Sequence, residues 1–143
     1  MKYTFEDARQ QLVDRLQPAL VAAYGQVRVK WPGTPKVDFS VDKSLFINVD
    51  LIYDDGVPVG LGPQAPKRRI GNIVTEVNYK EGEPKDHILC NNIIDLLDSL
   101  LSDTDDMYPV RTYTAARVSP PNGVASGWTR EGLVTPFFFD TSR

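Results

Sequence analysis

The sequence predicts an α+β domain, with a mostly antiparallel sheet of about four to five strands and two main helices packed on one face of it. In two segments apolar residues recur every three or four positions, as in helices that bury one side, and in several others they alternate with polar residues, as in half-buried strands. The strands come in runs and not in strict alternation with helices, an order typical of antiparallel sheets. With 143 residues, of which 41% are hydrophobic and 24% charged, the chain fits a single domain spanning residues 1–143.

The first helix is predicted over about residues 4–24. Thr4 with Asp7 three positions later is the pattern of a capping box, and the apolar stripe begins directly after it. Pro18 lies inside the stripe and is expected to kink the helix, because proline removes a backbone N–H donor. Gly25 is the expected end of the helix.

Three strands are predicted next, over residues 27–31, 45–53 and 72–79, from the alternation of apolar and polar side chains. The second and third are expected to form an antiparallel pair. The segment between them, 54–69, is dense in glycine and proline, which predicts a long flexible loop.

A basic triplet, Lys67, Arg68 and Arg69, stands at the foot of this loop. Such a triplet is either simply solvated or contacts phosphates or acidic side chains. The sequence leaves both interpretations open.

Pro84 is expected to open the second helix, whose wide apolar stripe continues to about residue 101 and should lie on a sheet face. An acidic turn follows. Residues 110–118 are then predicted to form a strand, 119–127 a loop, and 128–139 the closing strand.

The closing strand ends in a run, residues 133–139, that is apolar on both faces, so both faces need cover. Pro136 cannot donate to a sheet ladder, which predicts that this strand lies at an edge, is bulged, or has one side unpaired. An apolar edge strand promotes aggregation unless something covers it, and another subunit is the simplest cover. The candidate contact residues are Trp128, Phe137, Phe138 and Phe139, together with Lys67, Arg68 and Arg69.

Side chains capable of chemistry are few. Cys90 and His87 are the only residues of their types and stand three apart on the second helix, but they lack the further donors that a metal site needs. The acidic residues at 103–106 lack the glycine and the closing glutamate of a calcium loop. We therefore expect no catalytic residue, no cofactor and no metal, and we do not expect an enzyme.

Charge and hydropathy restrict the partners. The formal charge of −3 gives no general attraction to nucleic acid or to an anionic membrane. No segment approaches the ~20 apolar residues of a membrane span, and the N-terminus has no signal-peptide pattern. A protein of the cytosol, without membrane contact, is expected.

The succession of segments resembles the tail terminator, or tail completion, proteins of long-tailed bacteriophages. The resemblance rests on the N-terminal helix and the strands after it, on Arg69-Ile70-Gly71-Asn72-Ile73-Val74-Thr75-Glu76-Val77, and on Gly82 before the second helix. It continues in the late hairpin, where Gly127-Trp128 precedes a strand ending Val134-Thr135-Pro136-Phe137-Phe138-Phe139. It covers nearly the whole chain.

The resemblance implies a structural virion protein without catalytic residues. Such a protein forms a hexameric ring on the head-proximal end of the tail tube, ends tube polymerisation and provides the docking surface for the head or neck. Its partners would be further copies of itself, the tail tube protein, a neck or head-completion protein and, in a contractile tail, the sheath. Assembly would take place in the host cytoplasm, and the basic triplet would face acidic partners or the DNA that passes through the ring.

Three alternatives stay open. A head-tail joining or neck ring protein of related fold has the same pattern of segments. A small ligand-binding α+β module would use the aromatic strand to line a pocket. A small enzyme would assemble its site from residues such as Asp50, Tyr79 and Arg111.

Overall fold

The computed structural model describes residues 3–34, 44–54, 57–58, 67–82, 84–107, 109–119 and 127–141. These residues form two helices and one mixed sheet, which confirms the α+β class with a mostly antiparallel sheet. The helices are α1 (Phe5–Tyr24) and α2 (Pro84–Leu101). The strands are β1 (Arg28–Lys30), β2 (Phe46–Tyr53), β3 (Val57–Pro58), β4 (Lys67–Lys80), β5 (Arg111–Thr112), β6 (Ala116–Val118) and β7 (Trp128–Thr141).

The predicted capping box begins α1. The Asp7 backbone N–H donates to Oγ1 of Thr4 at 3.2 Å, and the Thr4 backbone N–H donates to Oδ2 of Asp7 at 2.8 Å. Two N–H groups at the helix start are thereby satisfied by local sequence alone. The helix continues through Pro18 to Tyr24.

The sheet order is β1-β2-β4-β7-β5, with β3 also paired to β4 and β6 also paired to β7. The β1–β2 pair is parallel, and every other pair is antiparallel. The predicted β2–β4 pair forms with Ile47 opposite Val77, and β4 pairs with β7 along all fourteen residues of each strand.

One face of the sheet, which we call the helix face, packs against both helices and forms the core. Its side chains are the odd-numbered residues of β2, β4 and β7, because successive residues of a strand point to opposite sides. The core comprises Ala8, Leu12, Leu16, Leu20, Leu45, Ile47, Val49, Ile73, Val77, Tyr79, Cys90, Ile93, Ile94, Leu97, Leu101, Met107, Val110, Leu133, Phe137 and Phe139. In the described part of the chain, no helix covers the opposite face, which we call the open face.

The closing strand is not an edge strand, which corrects the sequence-based expectation. β7 lies inside the sheet, between β4 on one side and β5 and β6 on the other. Of the three arrangements predicted for Pro136, the structure contains the strand with one side locally unpaired. On that side β5 pairs with residues 137–138 and β6 with residues 132–134, and Pro136 lies between these two pairings. The backbone N–H of Tyr113 donates to the Pro136 carbonyl at 2.9 Å, so the polar backbone positions of Pro136 face the β5–β6 side. The missing N–H therefore falls at the break between those two short strands and not in the β4 ladder.

Two further boundaries differ from expectation. Residues 110–118 form two short strands, β5 and β6, where one was predicted. The basic triplet belongs to β4 and not to the preceding loop, and residues 57–58 form β3. The rest of the predicted flexible loop, 55–56 and 59–66, lies outside the described residues.

Candidate interaction surface

The open face is the candidate functional surface, because its centre is apolar. Val74 lies opposite Val134, which in turn lies opposite Ala116 on β6. Ile52 is 53% exposed and begins the neighbouring row, which continues through Asn72 to Pro136. A sheet face that only meets water carries mostly polar side chains, so this composition is typical of a contact surface.

Exposed apolar side chains concentrate on this face. Six large apolar residues of the described chain are exposed, and three of them, Ile52, Tyr113 and Val118, lie here. Tyr113 and Val118 are 54% and 43% exposed. Covering these side chains would remove apolar area from water, which favours association.

Phe138 lies at the end of the open face nearest β5. The Tyr113 ring packs on it with centroids 5.6 Å apart, and the Arg68 guanidinium lies 4.4 Å from its ring centroid. Arg68 also forms a bidentate pair with Asp140, with Nε at 2.8 Å and Nη2 at 3.1 Å from the carboxylate oxygens. The hydrogen bonds from Arg68 hold the pKa of Asp140 below its ordinary value, so this pair is charged at neutral pH.

A second ion pair lies across the same face toward the other end. Arg130 Nε is 2.9 Å from a Glu76 carboxylate oxygen, and these residues occupy neighbouring strands. Beyond them, Trp128 packs on Phe46 with ring centroids 5.9 Å apart, and the Arg28 guanidinium lies 5.6 Å from the Phe46 ring centroid. The apolar centre is thus bounded at both ends by arginine side chains.

The structure divides the predicted aromatic contacts between two environments. Phe137 and Phe139 are 2% and 0% exposed and lie in the core beneath the helices. The domain itself covers them, which corrects the expectation that both contact a neighbouring subunit. Trp128 is 6% exposed, and Phe138 is half-buried on the open face and remains a contact candidate.

The basic triplet is also divided, because consecutive strand residues face opposite sides. Arg68 lies on the open face in its pair with Asp140. Arg69 lies on the helix face, with its guanidinium 5.0 Å from the Phe5 ring centroid, and Lys67 is half-buried opposite Thr141. The three residues therefore do not form one basic patch.

A polar cluster on the helix face joins β6, β7 and α2. Glu131 accepts hydrogen bonds from Arg117 Nη2 at 2.7 Å, Ser119 Oγ at 3.2 Å and Cys90 Sγ at 3.3 Å. Burial by itself would raise the pKa of Glu131, but these hydrogen bonds outweigh it and keep the pKa below its ordinary value. Arg117 also donates to Oδ1 of Asn91 at 2.6 Å, which connects β6 to the helix.

This cluster does not form a reactive thiol site. Cys90 is 0% exposed, and burial, aided by the Glu131 carboxylate, raises the pKa of its thiol to about 12. A thiol in this state is not a nucleophile at neutral pH. His87 has a different partner, the Tyr79 hydroxyl 3.0 Å from its Nδ1.

Two groups were considered for a metal from the sequence, His87 with Cys90 and the acidic turn, and neither gains further donors among the described residues. In the part of the chain that the structure describes, no group of three or more His, Cys, Asp or Glu residues is placed to hold a metal ion. In the acidic turn, Asp103 accepts from the Thr114 hydroxyl at 2.9 Å, and Asp106 pairs with Arg15 at 2.8 Å.

A cavity between the end of α1 and β1 has a volume of about 150 Å³ and is lined by residues that include Leu20, Tyr24 and Trp31. Pockets for small ligands are usually ~300 to 1,000 Å³. A larger pocket, of about 320 Å³, lies beside the start of α2 and is lined by residues that include Tyr79, His87 and Thr129 of β7. The phenylalanines of β7, which the ligand-binding alternative would use, line neither of these two pockets.

Sequence reasoning missed Ile52, Tyr113 and Val118 as surface residues. Each belongs to a different segment, and they share a face only through the β2–β4–β7 register and the pairing of β6 with β7. The alternation within β2 places Ile52 on the face opposite the core side chains, so its exposure could have been predicted from the sequence. No comparable alternation exists around Tyr113, because this residue lies between the two short strands β5 and β6.

No protein-family model matches the chain, and no curated protein matches it. The fold is known: 13 chains of solved structures match it. One of them, which carries a serial designation and no functional name, aligns over 95% of this chain and 94% of its own with a TM-score of 0.61 and 10% sequence identity. A likeness at this identity concerns the fold alone. Among the described residues, no helix combines the length and apolar character needed to cross a membrane.

Proposed function

We propose that this chain is a structural subunit of a bacteriophage tail that assembles into a hexameric ring on the head-proximal end of the tail tube. In this role it ends tube polymerisation and presents a docking surface to the neck or head. The observation that carries the proposal is the open face, a sheet surface with an apolar centre that neither α1 nor α2 covers.

The physical basis is the cover that a ring provides. A head-to-tail contact repeated around a closed ring buries the same surface on every subunit and leaves no free copy of it. The apolar centre of the open face gains from such cover, and the arginines at both ends give a contact its orientation. The resemblance in the order and character of the segments supports a tail ring as the assembly.

The first experiment is native mass spectrometry with negative-stain microscopy of the purified chain, alone and with the tail tube protein of the same phage. We expect hexameric rings and, in the mixture, tubes capped at one end that no longer elongate. A chain that stays monomeric at every concentration and does not bind tube ends would contradict the proposal. Rings that bind no tube would favour a joining ring over a terminator.

A matched pair of variants connects the result to the surface. Ile52→Asp places a charge on the open face at a side chain that is 53% exposed, and Val21→Asp places the same charge on α1 at one that is 62% exposed. Both should fold, because neither side chain is in the core. We expect Ile52→Asp to abolish rings and Val21→Asp to leave them intact, and equal behaviour of the two variants would remove the open face from the interface.

A further inference from the structure

The two sides of the domain carry opposite charge. The open face has six basic side chains against three acidic ones, counted from the strand register. The basic ones are Arg28, Lys30, Arg68, Lys80, Arg111 and Arg130, and the acidic ones are Asp50, Glu76 and Asp140. The formal charge of the whole chain is −3, so the open face opposes the overall sign.

The helices and the turn after α2 have the reverse balance, with nine acidic side chains against three basic ones. The acidic ones are Glu6, Asp7, Asp14, Asp86, Asp95, Asp98, Asp103, Asp105 and Asp106, and the basic ones are Arg9, Arg15 and Lys85. Two of the three cations are already engaged, Arg9 with Glu6 and Arg15 with Asp106.

Some of the excess charge on both sides forms no ion pair among the described residues. Asp95, Asp98 and Asp105 are exposed, and none forms an ion pair with another described residue. On the open face, Lys80 is exposed and Lys30 is partly exposed, and neither forms an ion pair with another described residue. Charges left unpaired within one molecule are available to a second one.

The acidic side also carries an apolar anchor. Ile88 is 60% exposed and occupies the solvent-facing stripe of α2, where Asn92, Asp95 and Ser99 follow at helical spacing and are also exposed. Both surfaces therefore combine apolar area with charge, of opposite sign.

We propose that the open face of one copy docks on the outer surface of α2 and the acidic turn of the next copy, head to tail. This inference rests on the proposed function and names the two surfaces that would meet in the ring. The occupant is a second copy of this chain, because the complementary charge and the apolar anchor are both on the chain itself. A contact between the open faces of two copies would bring surfaces of the same charge together. A nucleic acid bound to the open face would leave the acidic surface of the helices without a partner.

A head-to-tail contact has a signature that other arrangements lack. The sheet variant Lys30→Glu/Lys80→Glu changes the open face from six basic against three acidic side chains to four against five, so both surfaces are negative. The helix variant Asp95→Lys/Asp98→Lys/Asp105→Lys changes α2 and the turn after it from six acidic against one basic side chain to three against four, so both surfaces are positive. Each alone should repel copies of itself, but the two variants mixed in equal amounts restore an attractive contact at every interface. The chain with all five substitutions, the combined variant, restores it as well.

The test is sedimentation velocity of the wild-type chain, both variants, their mixture and the combined variant, with far-UV circular dichroism to confirm folding. We expect each variant alone to weaken self-association by roughly tenfold or more, and the mixture and the combined variant to recover wild-type assembly. Wild-type association should also weaken with added salt, because the Debye length falls from ~10 Å at 0.1 M to ~3 Å at 1 M. Duplex DNA is added to a parallel series.

Recovery in the mixture supports the proposal. Rings that persist in both variants would overturn it while leaving the proposed function intact, since another surface would then form the contact. Loss of assembly in the sheet variant only, with no recovery in the mixture, would overturn it in favour of contact between open faces. If the sheet variant loses DNA binding but still assembles, the basic surface would be assigned to DNA and the proposal overturned. A wild-type chain that stays monomeric and does not bind tube ends would refute the proposed function as well.

Discussion

The division of the aromatic run between core and surface predicts opposite effects for adjacent residues. The Phe139 ring is fully buried and packs edge-on against Tyr3 at 5.2 Å and Phe5 at 5.8 Å between centroids, with Phe137 stacked at 6.3 Å. Phe139→Ala removes this packing and leaves a cavity between α1 and the sheet, at a cost of ~3–5 kcal/mol. For a domain of this size, that loss corresponds to a decrease in melting temperature of roughly 10 to 15 °C.

Phe138→Ala is the matched control, because it makes the same change one residue earlier on the opposite face. Its ring is half-buried between Tyr113 and Arg68, so we expect a cost of ~1–2 kcal/mol. Urea unfolding followed by circular dichroism gives both values at a concentration where the chain is monomeric. Equal destabilisation by the two variants would refute the assignment of Phe139 to the core and Phe138 to the surface. At higher concentration, Phe138→Ala should weaken self-association by more than its small loss of unfolding free energy explains. Phe139→Ala should weaken self-association only as far as it unfolds the chain.

Three further results are expected. A Cβ at Gly71 would lie 2.3 Å from the Ile52 carbonyl oxygen, so Gly71→Ala should lower the free energy of unfolding, measured in urea, by ~2 kcal/mol or more. At Gly132 the nearest contact of a Cβ would be 3.3 Å, so Gly132→Ala should cost less than half as much. A larger cost at Gly132 than at Gly71 would contradict the strand register. Burial and the raised pKa of Cys90 should prevent alkylation by iodoacetamide at pH 8 until the chain is unfolded, and rapid alkylation of the native chain would show an open site. The pKa of Glu131 is lowered in the folded state, so its contribution to stability is present above the unfolded pKa of ~4.3 and is lost as the pH falls through the folded value. Glu131→Gln should therefore be less stable than wild type at pH 7, with a difference that narrows below about pH 4, and a constant difference would assign the effect to packing.

The elements predicted from local signals agree with the structure. The capping box of Thr4 and Asp7 and the stripe of α2 depend on residues three or four apart, and the alternation in β2 depends on residues two apart. These signals are contained in one segment. The pairing of β2 with β4 was also predicted, because both segments have the same length and pattern.

The position of β7 could not be derived in this way. Pro136 argued for an edge because its missing N–H was assumed to interrupt a ladder. Whether it does so depends on which side of the strand that position faces and on where the neighbouring strands end, and both are set by Tyr113 and the break after Thr112. For the same reason the apolar run was assigned to a neighbouring subunit, although α1 and α2 cover half of it.

The candidate surface depends even more on tertiary structure. Ile52 could be placed opposite the core from alternation alone, but its alignment with Val118 and Tyr113 follows from three strand registers together. The basic triplet shows the converse, since three adjacent residues in sequence are separated by the pleat of β4. Adjacency in the sequence therefore does not place these three residues on one surface.

The place of β7 in the sheet has a consequence for biosynthesis. This strand is translated after every other element of the domain. β5 and β6 both pair with it, and it is the partner of β4 on the side of β4 that faces away from β2. A nascent chain whose β7 is still inside the ribosome cannot close its hydrophobic interior, so the domain acquires its tertiary structure only after β7 has emerged. Truncated products that lack β7 would leave one side of β4 unpaired and the core open, and cellular proteases would be expected to degrade them.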